Sequence, residues 1–479
     1  MFRVRVVKEH EDKFKVDLDW ALPRVRKLVP EGGRLDQEVR KLDNTYFDTS
    51  DTGLRLFGIT LRRRVGGSET GWQLKVPNRT ARMELQSRSR AKTVPPALAH
   101  AVAGLVGGDS LDPVASLMTT RTAYRVLDAD GELVLEIADD QVDSGPPNGE
   151  STLRSWREVE VELGPAGKKK DLRRASKLLR TAGATPSAIR TKLDRALGSA
   201  WPDGEVADVT PGTVGELVAS YLATQCVVLA SNDVRLRTGA PVVHETRVAV
   251  RRLRSTLRVF GDMVESAPAE ELDHELIWYA DLLGQVRDRE VLGSRMTKLV
   301  ADLPPDHVRG PVEAEITKTL AKERDDAMQR LNEAMRTPRY RHLMQLLRGW
   351  KTAPPLSEVA DKSAKTAAAY VKKAQRKADK RLRDAGDDIE QLHGARKAMK
   401  RLRYAAELVE PTDHSMKRVA RDAKQMQTLL GEHQDAIVAA RFLATVSASE
   451  GDSESGFTYG VLMADELHRA ADIRESLRN

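Results

Sequence analysis

Glu9, Glu11 and Lys13 alternate in a segment flanked by Val4, Val6, Phe14 and Val16. A strand has a side-chain period of two, so the three share one face and set two carboxylates beside an ammonium. The same parity groups Thr60 with Arg62 and Arg64, Gln73 with Lys75, Arg82 with Glu84, and Glu158 with Glu160 and Glu162. Arg and Lys neutralise phosphoryl oxygens, whereas carboxylates hold a hard divalent cation that bridges phosphates and lowers the pKa of a bound water. Condensed phosphate suits both. Taken alone, Glu9 to Lys13 reads as a solvated surface strand, where charged residues usually lie.

The elements that must position these residues come from periodicity. From residue 1 to about 198 the period is two, and strands are expected at Arg3–Val16, Asp43–Phe47, Ile59–Val65, Gly71–Val76, Arg82–Leu85, Ala123–Leu127, Leu133–Val142 and Trp156–Leu163. Helices are expected at Ala21–Leu28, Pro96–Val106 and Lys170–Ala182. This is an α+β unit with an antiparallel sheet. If the apolar faces (Leu61, Leu74, Val159, Val161) pack on helices, the charged faces look into one common space. That space cannot be a packed core, because unpaired buried charges cost several kcal/mol each. A water-filled barrel holding an ionic ligand follows, with an open sheet wet on one face as the alternative.

Beyond a polar linker at 199–211 the chain is helical and repeats itself. Val243-His244-Glu245-Thr246-Arg247 through Arg251-Arg252-Leu253-Arg254 returns as Leu392-His393-Gly394-Ala395-Arg396 through Lys400-Arg401-Leu402-Arg403. Leu283-Gly284 to Asp288 returns as Leu430-Gly431 to Asp435. Two matches in the same order mean a duplicated unit, 212–353 and 356–479, parted at Pro354-Pro355. On a helix His244, Arg247, Arg251, Arg254 and Arg258 form one basic stripe, matched by His393, Arg396, Lys400 and Arg403. Each stripe lacks interleaved acids and repels itself unless an anion sits on it. Residues 365–403 hold thirteen Lys/Arg against five Asp/Glu, exceeding the whole chain's net +7, so the positive charge is local. Such runs are also commonly just solvated helix faces.

Composition narrows the classes. The 479 residues call for several domains, and aromatics at 4% supply little for stacking nucleic-acid bases. A single cysteine, Cys226, leaves no internal disulfide or cysteine metal site and favours a reducing, cytoplasmic compartment. The first twenty residues show no secretory pattern, and Leu217 to Ala230 reads as a buried helix, so no membrane association is expected. There is no Walker loop, Gly-x-Gly-x-x-Gly, HExxH or nucleophile elbow.

The ordered set Glu9-x-Glu11-x-Lys13, Tyr46-Phe47-Asp48-Thr49, Thr60 to Arg64, Trp72-Gln73-Leu74-Lys75, Glu136 to Asp140 and Glu158 to Leu163 resembles the CYTH domain of the triphosphate tunnel metalloenzymes. The duplicated His-x-x-Arg-x-x-x-Arg-Arg-Leu-Arg segment is similar to the CHAD domain that often follows it. The resemblance implies an eight-stranded antiparallel β-barrel over 1–198 and, over 212–479, an all-α domain of two four-helix bundles. It implies metal-dependent hydrolysis of inorganic triphosphate or another small triphosphate, and binding of inorganic polyphosphate by the helices. An idle tunnel in a polyphosphate-targeting protein and an adenylyl cyclase are the alternatives, and polyphosphate granules are an implied place of association. Carried over, Glu9, Glu11, Lys13 and Lys75 are the catalytic group. Lys13, Arg62, Arg64, Lys75, Arg82 and Arg121 grip phosphates, and Lys192 caps the tunnel mouth. Glu9, Glu11, Asp140, Glu160 and Glu162 hold Mg²⁺ or Mn²⁺, with Glu84, Glu136 and Glu158 as second choices. Two of these assignments leave alternatives, Asp139 for Asp140 and Arg125 for Arg121. His244, Arg247, Arg251, Arg252, Arg254, His393, Arg396, Lys397, Lys400, Arg401 and Arg403 would bind polyphosphate. His10 and Asp12 depart from the family's usual residues and suggest a wetter outer face.

Overall fold

The computed structural model describes residues 3–7, 10–67, 70–77, 82–147, 154–187, 191–198, 211–449 and 453–478. The chain divides into two compact units, Met1–Glu205 and Val206–Asn479.

In the first unit β1 (Arg3–Val7), β2 (Glu11–Val16), β3 (Arg34–Asp48), β4 (Thr60–Val65), β5 (Gly71–Pro77), β6 (Arg82–Ser87), β7 (Asp112–Leu127), β8 (Leu133–Gly145), β9 (Arg154–Leu163) and β10 (Thr185–Pro186) form one sheet. Its order is β1-β6-β5-β4-β3-β7-β8-β9-β2-β10, and every pairing is antiparallel. The expected strand Arg3–Val16 is two strands, and they lie at opposite ends of this order. In a flat sheet β1 and β2 would stand eight steps, about 38 Å, apart at the usual strand spacing. The four residues from Val7 to Glu11 reach at most about 14 Å. The sheet must therefore curl until its ends approach. No pairing among the described residues joins β1 to β2, and ten strands are present instead of the eight expected.

The outward, apolar face is buried by helices. Phe14, Val159, Val161, Ile137 and Leu135 form a core with Ala175 and Leu179 of the helix at Lys169–Thr181 and with Val25 and Leu28. Full burial of each large side chain contributes about 1.5–3 kcal/mol. The helix expected at Ala21–Leu28 shrinks to a single turn, Val25–Leu28, because Pro23 lacks an N–H and its ring obstructs the preceding turn. β3 and β7 run much longer than their hydrophobic stretches, since both carry polar residues on both faces. In order, the helices of this unit are α1 (Pro96–Val106), α2 (Lys169–Thr181) and α3 (Lys192–Leu197).

The second unit contains α4 (Val214–Arg237), α5 (Val243–Val259), α6 (Ser266–Asp302), α7 (Val312–Ala334), α8 (Pro338–Thr352), α9 (Ala367–Ala385), α10 (Ile389–Val409), α11 (Met416–Ser449) and α12 (Ser453–Arg478). α4 starts on a capping box in which Thr213 accepts from the Glu216 amide. It is long and apolar enough to cross a membrane by length and composition, but here it packs against α5 and α8. The halves do not keep separate cores. Met296 and Val300 of α6, Ile316 and Leu320 of α7, Leu443 of α11 and Tyr459 and Leu462 of α12 share one cluster. α5 of the first half also packs on α10 of the second.

Candidate functional site

Register explains how the curled sheet gathers its charges. Lys13 of β2 stands opposite Glu160 of β9, Glu11 opposite Glu162, and Asp140 of β8 opposite both Glu158 and Arg121 of β7. Residues paired across strands share a face, so one face carries them all. Lys13 Nζ lies 3.4 Å from Glu11 and 3.1 Å from Glu160. Arg121 clamps Asp140 through two bonds of 2.8 and 2.7 Å and reaches Glu160 at 3.0 Å. The alternative Arg125 is 43% exposed and 3.7 Å from Glu136, so Arg121 is the arginine inside the cluster. Asp139 points outward, pairing with Arg157, while Asp140 is fully buried.

α3 delivers the remaining cation. Thr191 caps the helix and Arg55 holds its Asp194 at 2.7 Å. Leu193 plugs into Tyr46, Leu117, Val142 and Trp156, which have the strand parity of the charged face. Beside it Lys192 reaches Asp140 at 3.0 Å, Glu158 at 2.7 Å and Glu160 at 2.8 Å. Burial works against the Lys192 ammonium, yet Glu160, Asp140 and Glu158 push its pKa well above the ordinary range. Burial would likewise raise Glu160 and Asp140, but Lys192 leads the cations that hold both carboxyls below theirs, Glu160 far below.

Farther round the sheet, Arg62 donates to Gln73 at 2.7 Å and to the Tyr46 hydroxyl at 3.3 Å, and Arg64 to Asn44 at 2.9 Å. Burial opposes ionisation of Tyr46, yet Arg62, Lys192 and Arg64 draw its pKa below the usual phenol value. That direction reports a positive field. Lys75 stands on the same face, opposite Thr60 and Glu84. Arg40, opposite Arg121, was not singled out from the sequence; its parity with Glu38 was the available signal. Asp48, in the Tyr-Phe-Asp-Thr motif, serves the backbone instead, accepting from the amides of Thr49, Leu54 and Arg55. On the outer face Asp12 accepts a hydrogen bond from Ser176 of α2, so this departure is used in packing. Glu9 and the Arg82 side chain lie outside the described residues.

Among the described residues no three of His, Cys, Asp and Glu are gathered as a metal-binding group. The donor types nevertheless suit a hard cation. Glu11, Glu162 and Glu136 stand in one row across β2, β9 and β8, where like charges repel unless cations lie among them. Asp140 and Glu160 are already engaged by Lys192 and Arg121, so an ion using their oxygens must displace an ammonium or a guanidinium.

In the helical unit the two sequence matches meet in space. Arg247 of α5 lies over Gly284 of α6 and pairs with Asp288 at 2.5 Å; Arg396 of α10 lies over Gly431 of α11, 3.9 Å from Asp435. A methyl on either glycine would meet the guanidinium, at 3.4 and 3.1 Å respectively. The glycines make room and the aspartates anchor, roles that the repeat alone did not reveal. The stripes are less self-repelling than expected, because acids from other helices, and Glu407 within α10 itself, stand beside them. Arg254 pairs with Asp273 at 2.6 Å, Arg252 with Glu407 at 2.8 Å, and Arg403 with Glu407 at 2.8 Å. What remains is a central group. Burial first, then Arg396, Arg251 and Arg247, press the Lys400 pKa down to about 7. His244 and His393 are both held below the usual histidine value, by burial and neighbouring cations. The Nε atoms of Arg251 and Arg396 are buried without a hydrogen-bond partner. Lys397 is exposed.

Comparison with known proteins matches residues 8–186 to the CYTH domain and residues 220–444 to the CHAD domain. The uncharacterized protein Rv2226 of Mycobacterium tuberculosis (strain H37Rv) is 33% identical over 472 residues, covering 93% of this chain and 90% of its own. Among solved structures, the CHAD domain of the plant Ricinus communis is 25% identical, with a TM-score of 0.47 over 59% of this chain and 96% of that one. PptA from Streptomyces chartreusis is 20% identical, with a TM-score of 0.47 over 56% and 98%. A putative adenylyl cyclase from Hippeastrum, described as having a dominant triphosphatase activity, is 14% identical, with a TM-score of 0.22 over 38% and 92%.

Proposed function

Because this chain belongs to the proteins that join a CYTH domain to a CHAD domain, we propose that its curled sheet hydrolyses a small linear triphosphate and that its helices bind inorganic polyphosphate. The observation that supports the first half most is the convergence of Lys13, Arg121 and Lys192 on the single carboxylate of Glu160. Three cations from separate elements share this acid, with Glu11, Asp140 and Glu158 beside it, and a polyanionic chain can take up those cations by competing with the carboxylates. Arg62, Arg64 and Lys75 would extend this grip along the face, with Arg82 as a further phosphate ligand, and Tyr46 would steady Arg62. Lys13, beside Glu11, would neutralise charge on the phosphoryl group under attack. Mg²⁺ or Mn²⁺, held by carboxylates drawn from Glu9, Glu11, Asp140, Glu160 and Glu162, would supply phosphate bridging and an activated water. Arg62, Arg64 and Lys75 would hold the remaining phosphates so that the terminal phosphorus faces that water.

Release of orthophosphate from tripolyphosphate, ATP and thiamine triphosphate with Mg²⁺ or Mn²⁺, using E11A as control, tests the proposal. No release from any of them sinks it. Cyclic AMP among the ATP products would instead mark a cyclase. The saturation of Asp140, Glu158 and Glu160 by Lys192 favours one further reading, a tunnel at rest in a protein whose working part is the helical unit. That reading requires polyphosphate binding without turnover. For the helices, the central group of Arg247, Arg251, Arg396 and Lys400 supports polyphosphate binding, and competition with duplex DNA at physiological salt separates selective from generic polyanion affinity.

A further inference from the structure

α1 has an unusual composition for a helix at the surface. Its residues, Pro96–Val106, include one polar side chain, His100, whereas α2 carries Lys, Arg and Asp between its leucines. A helix that is apolar all round is normally buried all round. α1 is buried on one side only. Leu98, Ala101, Val102 and Leu105 are buried, but Ala97 is exposed and Ala99, Ala103 and Val106 are half-buried. The last three follow the i, i+4, i+7 spacing of one helix face and, with Phe47 and Leu111, line a groove of about 490 Å³.

The groove carries opposite charges. Lys92, ahead of the helix N-terminus, lines it, as do Asp109 and Asp112 beyond the C-terminus. The basic side extends through Arg88 and Arg90, which are exposed on the same segment as Lys92. That segment is pinned in place: Arg63 donates to the carbonyls of Ala91 at 3.1 Å and Arg90 at 3.3 Å, and Trp72 Nε1 donates to Ala91 at 3.0 Å. Ser110 donates to Asp112, but among the described residues Arg88, Arg90, Lys92 and Asp109 have no ion-pair partner. A cation before the N-terminus and acids after the C-terminus are the reverse of what the helix dipole favours. These charges do not serve α1 itself.

We infer that this face of α1 is a two-fold contact, in which a second copy of the chain lays its own α1 antiparallel along the groove and Lys92 faces the partner's Asp109. A two-fold contact needs a patch that complements itself. An apolar centre between a cationic and an acidic end does so when the two helices run in opposite directions. The same arrangement brings an acid to each helix N-terminus and a cation to each C-terminus, which corrects the reversed dipole pattern. An anionic membrane fits less well, since Asp109 and Asp112 would repel it. The contact lies within the first unit and does not rest on the proposed function.

Sedimentation velocity of the full chain over a concentration series tests this. A contact built on one helix lies at the small end of specific interfaces, so the dissociation constant should fall at about 1–100 μM. K92E and D109K each turn two attractive pairs into repulsive ones and should weaken the dimer about tenfold. Their Tm should not change, because both side chains are exposed. Mixed together, K92E and D109K should associate more tightly than either does alone, since both pairs across the two-fold axis are then attractive. A103E places a charge in the apolar centre and should abolish association. A monomer at every concentration overturns the inference, and cosedimentation of that monomer with phosphatidylserine vesicles would give the face to a membrane instead. A dimer that all three variants leave unchanged lies elsewhere on the chain and equally overturns it. Weakening by both charge variants with no recovery in the mixture overturns the antiparallel pairing.

Discussion

A carboxylate reached by three cations cannot protonate easily, and removing one of those cations leaves charge buried without compensation. K192M should therefore destabilise the protein by about 3 kcal/mol or more in urea, as breaking a buried ion network does. If the proposed metal role is right, Mg²⁺ or Mn²⁺ should restore part of that loss by taking over the freed oxygens. The pH dependence follows from the depressed carboxyl pKa values of Asp140 and Glu160. Their contribution is complete above the ordinary carboxylate range and is lost as the pH falls below it. Acid melts of wild type and E160Q should diverge above that range and converge below it. Lys400 works in the opposite sense. Its folded pKa of about 7 lies below the ordinary 10.5, so the folded state holds fewer protons between these values and stability rises with pH across that window. Arg396, Arg251 and Arg247 face it, with Asp435 the opposing acid. A bound polyanion reverses the penalty on its charge. Binding polyphosphate at about pH 8 should take up a proton in the wild type and not in K400M, as calorimetry in buffers of different ionisation enthalpy would read.

At the scale of elements, the small residues in the helical repeat are spacers for cations. In G431A the new methyl would meet Arg396 at 3.1 Å, and the flexible side chain can yield. A helical Gly to Ala change also adds about 0.5–1 kcal/mol of stability. The expected result is an unchanged or higher Tm with weaker polyphosphate binding, because Arg396 is pushed off its place over Gly431. A drop in Tm with unaltered affinity would reverse that assignment. The loop after β3 makes the complementary case. Asp48 accepts three backbone amides there, so D48A leaves buried donors unsatisfied at about 1–3 kcal/mol each and should lower the Tm markedly. Periodicity located β4, β5 and β9 well because their outer faces are apolar. It shortened β3 and β7 because charge on the inner face and polarity on the outer one leave no alternation to read.

At the scale of the whole molecule, the chain carries two charged surfaces, one in each compact unit. Hydrogen exchange should separate them. Tripolyphosphate with Mg²⁺ should slow exchange in β4, β5 and β9, and long polyphosphate in α5, α10 and α9. Protection of the same peptides by both ligands would contradict two separate sites. Parity and spacing in the sequence determined which residues could share a face, the antiparallel α+β character of the first unit and the duplication of the second. Those are local properties, set by side-chain periods within single elements. Only the tertiary structure decided that Arg121 and not Arg125 joins the charged cluster, that Arg121 and Lys192 already occupy the acids, and that Asp288, Asp273 and Glu407 neutralise part of the basic stripes. Charge balance at a point depends on residues far apart in the chain, and a one-dimensional pattern holds no record of which of them fold to within a few ångströms.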